Sequence, residues 1–342
     1  MEGEENMINN TWIEVDLKAI RKRYEIIKEN TCADIIPVIK NNSNGLGFRQ
    51  MLDIYKSLGV KMIAASYASE FYFNAREDDD ILKLAWIWKP CKELLEIKNI
   101  VLCCKNFNQL CFCIENRIPY HIVFNIGMNR GGFKDSEIEE IKKYAGNNWS
   151  IATHCPYSEE EDIKRYTKEV ENLKNKIESF DIKIDFIHAA NSVVFRTDRM
   201  CHFDGVRLGE ILLLPNNDKF GFYDPISVKT TILDIMDLKK GDNIGYNHFC
   251  LEQDETVAVI PIGYYNFEKI EKVMIKDEIM DVLVQLHDLT MVKINKNKIS
   301  EIAINDEVII NNFLLSQAGN WNKCIQRTFK FNHDLIGYKY IS

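Results

Sequence analysis

Two rhythms of apolar and polar positions alternate over the first two hundred or so residues. Short apolar, β-branched runs recur at Ile35–Lys40, Met62–Tyr67, Ile81–Trp88, Ile100–Cys104, His121–Ile126, Ser150–His154, Ile184–Ala190 and Gly205–Gly209. Between most of them, apolar residues return every three or four positions, at Phe48–Leu58, Ser69–Arg76, Phe107–Arg117, Ser136–Tyr144 and Glu159–Phe180. The first rhythm predicts strands and the second predicts helices. Asp16 is placed to cap a further helix carrying Leu17, Ile20, Tyr24 and Ile27. Eight strands alternating with helices is the pattern of a (β/α)8 TIM-like barrel. An open doubly wound sheet is the alternative, but no Gly-rich dinucleotide fingerprint follows the first strand.

The pattern changes at Leu214-Pro215. Beyond it the runs are short, β-branched and separated by turns: Ile226–Ile235, Thr256–Ile262, Lys272–Ile275, Val282–Leu286, Met291–Ile294 and Glu307–Ile310. Lys240-Gly241-Asp242-Asn243 and Ile304-Asn305-Asp306-Glu307 read as turns entering strands. The expectation is a barrel over residues 1–214 followed by an all-β domain over residues 215–342.

Composition narrows the class. A chain of 342 residues is long enough for two domains. A formal net charge of −8 argues against a nucleic-acid or anionic-membrane surface. No window approaches the apolar length of a membrane span. The N-terminal Met1–Asn10 is polar and acidic, unlike a signal peptide, and a cytoplasmic protein is expected. Among the ten cysteines, Cys103, Cys104, Cys111 and Cys113 cluster. Neighbours on a strand point to opposite faces, and no C-x-x-C pair occurs here, so reduced buried thiols are expected rather than a metal site.

Candidate chemistry sits at strand ends, which a barrel gathers on one face. The run Ile35-Ile36-Pro37-Val38-Ile39 stops at Lys40 and breaks into Asn41-Asn42-Ser43-Asn44-Gly45-Leu46-Gly47. A lysine delivered to a rim is either solvated or a usable nucleophile or base. Arg130 follows the fifth strand in Asn-Ile-Gly-Met-Asn-Arg-Gly-Gly-Phe, and His154 ends the sixth. Asn191 and Ser192 follow the seventh, and Arg207, Gly209 and Glu210 close the eighth. The loops after the last two strands are where barrels build phosphate sites, and Ser192 with the amides of Gly209 and Glu210 suits one. A lysine opposite a phosphate site suggests pyridoxal 5'-phosphate (PLP).

With these residues in view, the chain resembles the alanine racemase family, the fold-type III PLP enzymes. Val38-Ile39-Lys40-Asn41-Asn42-Ser43-Asn44-Gly45-Leu46-Gly47 is similar to the family's PLP-lysine strand. Further matches run in order: Trp12-Ile13-Glu14-Val15-Asp16, Gly127-Met128-Asn129-Arg130, Thr153-His154, His188-Ala189-Ala190-Asn191-Ser192 and Val206-Arg207-Leu208-Gly209. In the second domain come Lys240–Tyr246, Val259-Ile260-Pro261-Ile262-Gly263-Tyr264, and Asp288 with Thr290-Met291-Val292.

The resemblance implies a two-base racemase, because an α-proton removed from one face must be returned on the other. It implies Lys40 and Tyr264 as the bases, with Tyr264 reaching the barrel of a partner in a head-to-tail homodimer. Otherwise Tyr264, like Tyr265, is an aromatic packing an interface. It implies Arg207 against the PLP ring nitrogen, His154 supporting the ring and Arg207, and Arg130 near the substrate carboxylate. Ser192, Gly209 and Glu210 fall on phosphate-binding positions, while His188 reads as a core histidine. Alanine is the expected substrate, with serine or a basic amino acid as alternatives.

Several positions depart from the family. Its phosphate-binding tyrosine is Asn44 here, and the lysine that members carbamylate to orient the carboxylate arginine is Val123. A methionine whose amide helps bind substrate aligns with His287, and an aspartate before Gly-Met-Asn-Arg is Asn125. The C-terminal phosphate tyrosine has no match, and Thr328–Ser342 is divergent. A degenerate PLP-binding protein is the competing reading from another class. A PLP decarboxylase or zinc-dependent D-amino-acid lyase on the same scaffold fits less well, for want of length and of a C-terminal His/Cys pair.

Overall fold

The computed structural model describes residues 11–76, 80–213, 225–246, 249–265, 269–310 and 337–341. The expected boundary at Leu214-Pro215 and most of Thr328–Ser342 lie outside the described residues. The first strand, β1 (Thr11–Asp16), runs into a helix at Leu17–Glu29, whose first turn is capped by Asp16 Oδ1 accepting from the Ala19 N–H at 3.0 Å.

Eight strands follow: β2 (Asp34–Pro37), β3 (Met62–Tyr67), β4 (Leu82–Ile87), β5 (Ile100–Cys104), β6 (Tyr120–Val123), β7 (Asn148–Ala152), β8 (Lys183–Ala190) and β9 (Gly205–Leu208). All pair in parallel, in the order β2-β9-β8-β7-β6-β5-β4-β3. The two end strands meet where Val38 bridges Ala64 and the Ile39 N–H donates to the Ala64 carbonyl at 2.8 Å, which closes the barrel. Its interior is filled by Ile36, Ala64, Leu84, Val101, Cys103, Val123 and Ala152, with Val38, Met62, Trp86 and Phe186 packed against them. Tight apolar filling of this kind makes the barrel a core rather than a pore.

The other unit is built on a nine-stranded sheet, β11-β14-β17-β16-β15-β18-β10-β1-β19. Its strands are β10 (Ile226–Thr231), β11 (Asp234–Leu238), β14 (Glu255–Ile260), β15 (Lys272–Ile275), β16 (Glu278–Gln285), β17 (Thr290–Lys293), β18 (Glu307–Ile309) and β19 (Gly337–Ile341). A short pair, β12 (Asn243–Ile244) and β13 (Phe249–Cys250), stands apart. Val228, Ile260, Ile275, Met280, Val292 and Val308 are among the residues of its core.

The expected division at residue 214 needs one correction. The first strand is part of this sheet, pairing antiparallel with β10 (Ile13 opposite Val228) and parallel with β19 (Ile13 opposite Tyr338). The barrel unit therefore spans Arg21–Leu212. Trp12, Ile13 and Val15 are buried in the sheet's packing, and Lys229 bridges Glu14 and Glu307 at 2.8 Å each. The apolar alternation of Trp12–Val15 is satisfied by partners more than 200 positions away, which no local pattern discloses. Among the described residues, no helix is long and apolar enough to cross a membrane.

Candidate active site

The strand that carries Lys40 ends earlier than its apolar run. After Pro37, Val38 and Ile39 hold the barrel seam, and Lys40 opens a left-handed turn rather than closing a strand. Asn41, Asn42, Ser43 and Asn44 have φ of 54°, 53°, 54° and 57°. Asparagine is the side-chain-bearing residue that tolerates this region best, so Asn-Asn-Ser-Asn is the sequence signal for the turn. Gly45 and Gly47 continue with φ of 93° and 91°. The turn is pinned from outside: Glu70 accepts from the Asn41 N–H, and Asn42 Oδ1 accepts from the Phe48 N–H at 2.6 Å. The half-buried Lys40 is thereby held at the rim.

Lys40, Asn44, Arg130, His154, Ser192, Arg207, Gly209 and Glu210 line one cavity of about 290 Å³. Asn191 lines it too, as does Trp86, which sequence reasoning did not single out. Arg207 is its most constrained member. From β9, its buried guanidinium donates through Nη1 to His188 Nδ1 at 2.6 Å and the His188 carbonyl at 2.8 Å. Through Nη2 it donates to the Thr153 carbonyl at 2.7 Å and to His154 Nδ1 at 3.3 Å. The Trp86 ring lies beneath it at 5.0 Å. Burial, then the Arg207 charge, push the His154 pKa down to about 3 and the His188 pKa well below the ordinary histidine value. Both rings are neutral at pH 7, so His188 is a buried acceptor for Arg207 and not a proton carrier.

Across the cavity, Ser192 opens a helical turn at Ser192–Thr197 whose cap is Asn191, accepting from the Val193 and Val194 N–H groups. Ser192 Oγ accepts from the Gly209 N–H at 3.3 Å. A side chain at Gly209 would place its Cβ 3.3 Å from Val38 Cβ, a tight contact, so the close approach of the two strand ends favours glycine. Arg130 sits in the loop after β6. That loop doubles back at Gly131 and Gly132, with Asn125 donating to the Phe133 carbonyl and Phe133 to the Val123 carbonyl. A Cβ at Gly132 would lie 3.0 Å from the Val123 oxygen and the Asn125 nitrogen, which explains the Gly-Gly pair. The Asn125 side chain accepts from the Asn129 N–H at 2.8 Å and donates to Asn129 Oδ1 at 2.9 Å, fixing the approach to Arg130. Val123 is buried in the barrel core.

The two remaining candidates lie in the β unit and contact each other. Tyr264 packs edge-on against the His287 ring at 5.4 Å between centroids, and Tyr265 stacks on the same ring at 4.7 Å. The Tyr264 N–H donates to the Leu286 carbonyl and the Tyr265 N–H to the His287 carbonyl. A Cβ at Gly263 would fall 2.2 Å from the His287 oxygen, so only glycine lets the two loops lie this close. The Tyr264 side chain is exposed.

Lys40, Arg130 and Arg207 on the barrel cavity face a single lining carboxylate, Glu210. Such an excess of positive charge suits anionic ligands. The donor set fits PLP in particular: a lysine amine for its aldehyde carbon, a hydroxyl and backbone amides for a phosphate, and a guanidinium for a ring acceptor. Asn44 adds a buried carboxamide whose oxygen has no partner among the described residues.

Fold and site together define a racemase-class isomerase built from a barrel and a β domain. The chain belongs to the alanine racemase family: the N-terminal domain model of alanine racemase matches residues 15–216, and the C-terminal domain model residues 225–329. It is similar to the alanine racemase of Fusobacterium nucleatum, 27% identical over 328 residues that cover 88% of this chain and 91% of that one. The alanine racemase of Thermodesulfovibrio yellowstonii is 28% identical over 327 residues, covering 87% and 86%. In fold it resembles the alanine racemase structure from Clostridium difficile 630, with a TM-score of 0.80 at 23% identity, covering 98% and 97% of the two chains. The enzyme from Streptomyces coelicolor also gives a TM-score of 0.80, at 16% identity and 98% and 99% coverage.

Proposed function

We propose that this chain is a cytoplasmic amino-acid racemase, with alanine as its first substrate, acting by two bases in a head-to-tail homodimer. The observation that carries the reading is that Lys40, Arg207 and the Ser192–Gly209 pair line one cavity. Family membership supports it.

Lys40 Nζ would anchor the cofactor, with Ser192 Oγ and the amides of Gly209 and Glu210 holding its phosphate. PLP, when bound, supplies the electron sink that lets an α-proton leave. Arg207 holds its donors rigidly and keeps its own proton near pH 7, so a ring nitrogen facing it accepts a hydrogen bond without being protonated. Arg130 would hold the substrate carboxylate, a charge-assisted contact that fixes which groups face the bases. Lys40 would take or return the α-proton on one face, and Tyr264 of a second copy on the other. His287, packed against Tyr264, would help frame the substrate pocket.

The test is α-proton exchange in D2O over a panel of L- and D-amino acids with the PLP-loaded protein. Exchange of both alanine enantiomers is expected, with loss in Lys40→Ala. Cofactor binding without exchange of any amino acid would reduce the chain to a PLP-binding protein.

A further inference from the structure

Lys105 directly follows β5, on the strand next to the one whose loop carries Arg130. Its backbone is fixed, with the Lys105 N–H donating to Gln109 Oε1 at 2.9 Å. Gln109 is held in turn by its Nε2 donating to the Trp88 carbonyl at 2.9 Å. The Lys105 stem packs on the Arg130 loop, since a Cβ at Gly131 would meet Lys105 Cδ at 3.4 Å. Its ammonium lies 5.4 Å from the centre of the Trp86 ring, the ring that also underlies Arg207.

Lys105 and Arg130 line the same small chamber with Trp86, Asn125 and His154, and no carboxylate lines it. Trp86, Arg130 and His154 also line the main cavity, so the chamber adjoins it. Neither the Lys105 ammonium nor the Arg130 guanidinium has an ion-pair or hydrogen-bond partner among the described residues. Burial and, more weakly, the Arg130 charge depress the Lys105 pKa, while the neighbouring Cys103 thiol opposes them. Lys105 is half-buried and Arg130 is exposed at its side; two adjacent cations with free donors and no counter-charge lining the chamber are placed to share an anion. At about 10 Å³ the chamber has room for a single water-sized group, such as one carboxylate oxygen reaching in from the adjoining main cavity.

We propose that Lys105 is a second cation of the substrate-carboxylate site, acting with Arg130 on the carboxylate of a bound amino acid; this rests on the racemase reading above. Arg130 supplies a planar fork and Lys105 a point charge. The Trp86 face lets Lys105 and Arg207 approach without direct repulsion dominating. A neutral Val123 beneath the loop then leaves Arg130 oriented from the side, through Lys105 and the shared anion.

The test measures binding of propionate to the PLP-loaded protein by ligand-observed NMR, with propylamine as the control that lacks a carboxylate. Lys105→Met is expected to weaken propionate about tenfold or more, ~1.4 kcal/mol, and Lys105→Arg to restore most of it. Propylamine should be unaffected, and in exchange assays Lys105→Met should raise KM with little change in kcat. Propionate affinity within twofold of the unsubstituted protein in Lys105→Met would overturn the proposal. So would chloride occupying the site more tightly than propionate, since a resident inorganic ion would then be its ligand. Failure of the racemase reading shows separately, as an unsubstituted protein that binds propionate but exchanges no α-proton.

Discussion

Arg207 Nη1 lies 2.6 Å from His188 Nδ1, and the other nitrogen of that imidazole, Nε2, lies 2.8 Å from His121 Nδ1. A guanidinium only donates, so His188 Nδ1 accepts and its proton sits on Nε2. That proton is donated to His121 Nδ1, which fixes the second tautomer. Three residues on β9, β8 and β6 thus form one directed chain across the barrel interior.

The chain makes His188 more than a packing residue. His188→Leu leaves a buried guanidinium short of an acceptor and should destabilise the protein by about 2–3 kcal/mol. His121→Leu strands a neutral N–H and should cost less, about 1–2 kcal/mol. Because the interactions are serial, the double variant should lose less than the sum. Urea unfolding of the three variants checks both points; strict additivity would mean the chain does not act as a unit.

The same histidines set an acid limit. Burial, then the Arg207 charge, hold the His121 pKa down to about 4 from its ordinary 6.5. Between those values the unfolded chain binds a proton that the folded chain refuses, so stability rises with pH and falls on acidification. His121 alone accounts for about 3 kcal/mol across that window, and His154 and His188 act in the same direction. The melting temperature should therefore fall steadily from pH 7 to pH 4.5, and less steeply in His121→Leu.

Gly263 controls the packing of Tyr264 against His287. Gly263→Ala drives a methyl into the His287 carbonyl, 2.2 Å from where Cβ would stand. It should cost on the order of 1–3 kcal/mol and displace Tyr264 from His287. Gly59→Ala is the control, because no atom lies within 4 Å of a Cβ there and only its positive φ of 72° is penalised. Loss of alanine racemisation in Gly263→Ala, with racemisation retained in Gly59→Ala, is the expected pair of results.

The barrel was legible because each strand is a buried parallel run, which reads as continuous apolar sequence whatever its partners. The runs at Met62–Tyr67 and Ile100–Cys104 coincide with β3 and β5. What was not legible depended on distant pairing or on backbone geometry. The β1 strand finds its neighbours in β10 and β19, and the expected run Ile226–Ile235 is two strands broken at Ile232-Leu233. Lys40 read as a strand end, although the three asparagines after it mark a left-handed turn. Nothing local marks Lys105, although it follows β5 much as Lys40 follows the β2 run; the cysteines before it read only as buried thiols. His188 read as a core histidine, and its contact with Arg207 appears only once β8 and β9 are paired.

The central claim is that Lys40 of one copy and Tyr264 of another serve the same site. Mixed dimers of Lys40→Ala and Tyr264→Phe chains, purified through two different tags, test it directly. In a shared site, the mixed dimer holds one pocket with both bases intact and one with neither, so about half the unsubstituted rate of alanine racemisation should return. A mixed dimer as inactive as either parent, while still binding PLP, would contradict the account.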